Sequence, residues 1–246
     1  MEFRLNLTLY DKKTIITKEK QKGIKSMKRR IYKKILMGIL GFSALIFTAA
    51  CSQAKTTDPA QTMEAFYQLI VYQNTKSITE LGIAPQEAKE TLKTYQSSMV
   101  STIQKSFDDA GVTINKAQAQ KIFQSISKKL AALDYSIDVV KENDKQAAVK
   151  VSSQYIHYLD IFKEAKDTTI RELKPLHIED LSGAKKQLVE NVIEAFENAK
   201  VSKEMHSRTF QLKKQKIKSG DDTIQVFFPK DYEQVGIHLI QMTTNQ

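Results

Sequence analysis

The chain has 246 residues, a single cysteine and a formal charge of +10. One cysteine excludes an intramolecular disulfide and a cysteine-based metal site. The charge would suit a nucleic-acid binder, but residues 1–50 carry 12 Lys/Arg against 3 acids, leaving 26 bases and 25 acids to residues 51–246. The later, near-neutral 196 residues carry no basic footprint, so nucleic acid is set aside as a partner.

Residues 27–51 read MKRRIYKKILMGILGFSALIFTAAC. Lys28, Arg29, Arg30, Lys33 and Lys34 make a positive start, Ile35 to Phe47 is uncharged and apolar, and Thr48-Ala49-Ala50 is a small-residue stretch before Cys51. That order is a secretory signal. As a helix the segment from Ile35 to Ala50 would rise roughly 24 Å, short of the ~30 Å hydrocarbon core of a bilayer, which argues against a permanent span. Residues 1–26 fit no signal design, so Met27 is the expected start of translation and the preface an over-extended reading frame.

Thr48-Ala49-Ala50-Cys51 resembles the bacterial lipoprotein signal, whose cysteine becomes the first mature residue. The family pattern usually has Leu where Thr48 stands; Ala49, Ala50 and Cys51 match it. The resemblance implies cleavage after Ala50, diacylglycerol on the Cys51 sulfur, an acyl chain on its nitrogen, and a position on the outer face of the cell membrane. Two or more chains hold a protein at a membrane stably where one does so marginally. The competing expectation is ordinary cleavage after Ala50 or Ala54 and a freely secreted protein.

Residues 51–57 are a polar tether, and residues 58–246 are expected to form one extracytoplasmic domain. Asp58-Pro59 gives a helix start, with Asp as N-cap and Pro at the first helical position, and the apolar spacing carries that helix to about Gln73. A short helical turn over 77–81 follows, closed by Gly82. Pro85 opens a long helix whose stripe is Ala88, Leu92, Tyr95, Met99, Ile103 and Phe107, closed by Gly111. The stripe reads as core rather than as a coiled-coil seam, because neighbouring helices are at hand to cover it. Asn115 is the N-cap of a third helix with Ala119, Ile122, Phe123, Ile126 and Leu130 inward.

The period then changes from 3.6 to 2. Tyr135, Ile137 and Val139 alternate, Asn143-Asp144 turns, and Ala147, Val149 and Val151 alternate again, which predicts a hairpin. A helix follows from about Leu159, with Phe162, Ile170 and Leu173 inward, broken at Pro175. Another runs from about Ala184 to Ala199 with Leu188, Val192, Ile193 and Phe196 on one face. Residues 205–218 and 223–228 make a second hairpin, ended by Pro229, and 232–240 reads equally as helix or strand. The fold class is α+β: helices packed on a curved antiparallel sheet built from two hairpins, cone-like in outline. The order resembles the nuclear-transport-factor-2-like folds and the lipoproteins of Gram-positive bacteria that carry such a domain, a resemblance that implies a fold and a location but no activity.

No chemistry-bearing motif stands out. The histidines, His157, His177, His206 and His238, have no metal-ligand spacing, and there is no nucleophile elbow, phosphate loop or dinucleotide fingerprint. The carboxylate pairs Asp108-Asp109, Glu179-Asp180 and Asp221-Asp222 lack calcium-loop spacing, and Asp is ordinary in turns. Lys213, Lys214, Lys216 and Lys218 form the main cationic cluster, suited to a solvated sheet face or to lipid headgroups. The expectation is therefore a non-enzymatic, lipid-anchored binding module with no cofactor and no metal. Its partners would be the membrane and a peptide, wall component or envelope protein held in the concavity of the sheet. The alternatives are an enzyme with a pocket at His157, Tyr155 and nearby acids, or a structural spacer.

Overall fold

Asp58 caps the first described helix as its sequence requires: the carboxylate accepts the Ala60 amide at 2.6 Å, and Pro59 costs nothing where no helical N–H bond is needed. A computed structural model describes residues 57–174, 181–219 and 222–246, without the side chains of 181, 182, 217–219 and 222–224. Cys51, Ala50, Pro175, His177, Glu179, Asp180 and Asp221 lie outside the described residues, and the Lys218 and Asp222 side chains outside the described side chains.

Helix α1 (Pro59–Ile70) is followed by α2 (Lys76–Glu80), α3 (Pro85–Asp109) and α4 (Lys116–Leu130). Gly82 and Gly111 take positive φ of 98° and 81° after α2 and α3, the left-handed turn that ends a helix without cost only in glycine. Asn115 and Gln118 form a reciprocal capping box on α4, each side chain meeting the other's backbone amide at 2.9 Å. Replacing Asn115 with Ala should cost about 1 kcal/mol in urea denaturation; an unchanged midpoint would mean the box is made but contributes nothing.

The hairpin β1 (Tyr135–Glu142) and β2 (Gln146–Ile156) turns on Asn143, whose Oδ1 accepts the amides of Lys145 and Gln146, each at 3.0 Å. Helices α5 (Tyr158–Leu173) and α6 (Leu181–Asn198) intervene before β3 (Val201–Ser219), β4 (Asp222–Pro229) and α7 (Tyr232–Thr244). The strands pair antiparallel in the order β1-β2-β3-β4, an open sheet that does not close into a barrel. Register shifts at Val139/Lys141 and Gln154/Ile156 bulge it at two places. The protein is thus α+β, as its residue pattern implies, with seven helices among the described residues.

Pairs such as Val149–Phe210 and Ala147–Leu212 place apolar side chains on the face covered by α1 and α7. The other face carries Lys150 opposite Thr209, both exposed. The concavity expected to hold a ligand is therefore filled by helices. One fully buried contact there is polar: Tyr67 of α1 and Ser153 of β2 share a hydrogen bond of 2.6 Å, and the Tyr67 ring stacks on Tyr135 at 4.2 Å. Tyr72 closes the cluster, its ring edge-on to both and its hydroxyl donating to the Leu133 carbonyl. Burial pushes the Tyr67 hydroxyl well above the ordinary tyrosine value.

One open reading is resolved and two change. The 232–240 segment is helix and extends to Thr244; Val235, Leu239 and Met242 are buried at helical spacing, and Gly236 sits buried among them. Strand β3 begins at Val201 because β2 runs on to Ile156 and supplies it with a partner. Helix α5 buries Ile161, Ala165 and Thr169, while Ile170 is 45% exposed. The face turns because α6 meets α5 through a polar seam: buried Asn191 donates to Thr169 Oγ1 at 2.9 Å and to Glu172 Oε2 at 2.8 Å. Helix α6 is tied to α4 by Ser125 Oγ on the Ile193 carbonyl at 3.1 Å. Lys129 caps its C-terminus, donating to Glu197 and Ala199 carbonyls, each at 2.9 Å.

Candidate functional site

A partly open groove of about 1190 Å³ lies among α3, α4, α5, α6 and α7. Its walls are mostly apolar, with Met99, Ile103 and Phe107 from α3, Phe123, Ile126 and Leu130 from α4, and Leu188 and Val192 from α6. Ala88, Tyr95, Ile103 and Phe107 of the long stripe on α3 are buried as expected, Leu92 and Met99 are half-buried, and the C-terminal half of the stripe walls this groove. Phe107 and Phe162 meet edge-on at 6.1 Å and join α3 to α5.

Two tyrosines line the groove without a hydrogen bond from their hydroxyls to any described residue. Tyr95 of α3 is 8% exposed, and Tyr158, at the start of α5, packs against Phe162 and Phe196. Burial raises both hydroxyls above their ordinary value, so each remains a neutral O–H donor at physiological pH. The charged lining comprises Asp160, Lys163, Lys166 and Lys185, and none of the three lysines forms an ion pair with a described residue.

The side chains expected to line an enzymatic pocket do gather, but not in the groove. The Tyr155 ring stacks on His206 at 4.0 Å and meets His157 edge-on at 5.2 Å, and its hydroxyl donates to Glu204 Oε2 at 3.3 Å. His157 lies 3.1 Å from Asn245 Nδ2 and 4.0 Å from Asp160, with its side chain 52% exposed. Of this cluster only Asp160 borders the groove.

His238 of α7 sits 2.9 Å from the Arg208 guanidinium of β3, so its Nε2 is the acceptor and the ring is neutral. Burial, then the Arg208 charge, lowers its pKa from 6.5 against a smaller opposing pull from Asp231. The unfolded chain therefore binds the extra proton first as pH falls, and stability drops below pH 6.5 until the folded-state pKa is passed. His238→Gln should flatten that slope in thermal melts between pH 7 and 5; an unchanged slope would assign it to other groups.

Among the described residues no group of three His, Cys, Asp or Glu is placed to hold a metal ion, and no helix is long and apolar enough to cross a membrane. Asp108 and Asp109 are exposed near the end of α3, where Asp109 pairs with Lys105 at 3.5 Å. Lys213 and Lys216 are exposed, and Lys214 lies over the Phe227 ring at 4.9 Å on a β3–β4 hairpin extending past the end of β2. The groove itself was missed in the sequence. Its one signal was the Ala88-to-Phe107 stripe, which is longer than the 15-residue α4 alone can cover.

No protein-family model matches the chain, and no curated protein matches it in sequence. In structure it is similar to a "putative lipoprotein (ycdA)" of Bacillus subtilis subsp. subtilis str. 168, with a TM-score of 0.56 and 12% identity. The likeness covers 75% of this chain and 55% of that one, so the chain spans about half of its neighbour's length. At that identity the likeness carries the fold, and a solved protein shares this arrangement of helices on an open sheet.

Proposed function

We propose that this chain is a lipid-anchored extracytoplasmic module that binds a ligand without transforming it, its ligand site being the helix-walled groove. The observation that carries the anchor is the order of residues 27–51, a signal that ends on the chain's single cysteine. The description of the structural neighbour as a lipoprotein supports the same reading. First-helix residue Pro59 follows Cys51 closely enough for the tether to reach at most about 28 Å, so the domain would sit against the membrane surface. Within this reading the domain is a divergent nuclear-transport-factor-2-like fold, supported by helices that precede an antiparallel sheet and cover one face of it.

The binding role rests on the groove's size and apolar walls, which resemble a ligand site more than a packing defect. Tritiated palmitate fed to growing cells should label the wild-type protein and leave Cys51→Ala unlabelled. Equal labelling of the two, or none of either, would sink the anchor.

A further inference from the structure

We propose that the groove between α3, α4, α5, α6 and α7 binds a long-chain fatty acid, its tail along the apolar walls and its carboxylate at Lys163, Lys166 and Lys185. This rests on the reading of the groove as the ligand site and names the ligand class. The groove, at about 1190 Å³, exceeds the range of about 300–1,000 Å³ usual for small-molecule sites, which leaves room for a long flexible chain. Its walls are apolar along α3, α4 and α6, so the occupant must bury hydrocarbon.

The charges at the groove select the head group. Among the described residues, three lysines from α5 and α6 and one acid, Asp160, line the groove, and none of the three lysines is paired with a described residue. An anion seated there gains hydrogen-bonded partners, whereas a cation meets repulsion. Tyr95 is an independent pointer: its ring is buried, it lines the groove, and no described residue takes its hydroxyl. Buried hydroxyls are ordinarily satisfied, and an oxygen inside the groove, of a ligand or of water held beside it, would satisfy this one. A peptide helix is the weaker occupant. It would need an acid placed at Lys163, Lys166 and Lys185 as well as an apolar face, where a fatty acid carries both in one short molecule.

The test uses the full-length chain in phosphatidylcholine vesicles with a palmitate analogue carrying a photoreactive diazirine in mid-chain. After irradiation, adducts are mapped by peptide mass spectrometry. The proposal predicts light-dependent adducts on α3, α4 and α6, displaced by unlabelled palmitate and not by dodecylamine. Tyr95→Phe should weaken labelling severalfold, and the triple change K163E/K166E/K185E about tenfold, the size of one lost charge-assisted contact. Circular dichroism of each variant checks that the fold persists. Should the triple variant fail to fold, single lysine-to-glutamate changes carry the same expectation with smaller steps.

Adducts scattered over the surface, or equal displacement by dodecylamine, would overturn the proposal. Displacement by an amphipathic helical peptide but not by palmitate would assign the groove to a protein partner instead. Displacement by lysophosphatidylglycerol alone would replace the carboxylate by a phosphate head. Loss of photolabelling in a protein still acylated at Cys51 would remove this inference and leave the anchor standing. An unacylated Cys51 with groove labelling intact would do the reverse.

Discussion

Phe196→Ala is expected to destabilise the domain by about 3–5 kcal/mol, the range for emptying a buried aromatic site. Phe196 is fully buried on α6 and meets Tyr158 at 5.5 Å and Phe162 at 5.3 Å on α5. The seam between these helices also holds the polar set Thr169, Glu172, Gln187 and Asn191, whose directional hydrogen bonds cannot fill the cavity left beside them. A loss of that size corresponds to a fall in melting temperature of roughly 10 °C for a domain of this length. Tyr158 and Phe162 also wall the groove, so the variant should loosen the ligand site as well as the fold. A melt within about 2 °C of wild type would mean that α5 and α6 are held by their polar contacts alone.

Leu239→Ala should have the next largest effect, about 2–5 kcal/mol by the same reasoning. Leu239 is fully buried on α7, the helix that with α1 covers the inner face of the sheet. Its neighbours at helical spacing, Val235 and Met242, are buried with it. Urea denaturation measures the cost, and the exposed control Glu233→Gln on the same helix should change stability by less than about 1 kcal/mol. If Leu239→Ala were as mild as the control, α7 would be an appendage and not part of the core.

The ends of helices were legible because the signals are local. Asp58-Pro59, Asn115, Gly82 and Gly111 each act within one turn, and each sits where its chemistry requires. The first hairpin was legible for a similar reason, since period-two alternation and an Asn turn need no distant partner. The face of α5 was not: Ile170 looks like a core residue until Asn191, 22 residues from Thr169, draws the neighbouring Ile161–Ala165–Thr169 side of the helix inward. The identity of α7 was hidden because Gly236 is a poor helix former by propensity, and only its buried place against the sheet overrides that. Tyr67 and Ser153 are 86 residues apart, and nothing in either neighbourhood announces their bond. The groove belongs to the same class, since it arises from the spacing of five helices and not from a motif. Cys51 is the opposite case: its argument lies wholly in residues 27–51, outside the described part of the domain.

The central claim is that Cys51 is the lipid-bearing first residue of the mature protein. The most direct test is the mass of the mature N-terminal peptide, recovered from fractionated cells. The account predicts a peptide beginning at Cys51, carrying two or three acyl chains and confined to the membrane fraction. An unmodified N-terminus at Ser52 or Lys55, recovered from the medium, would contradict it.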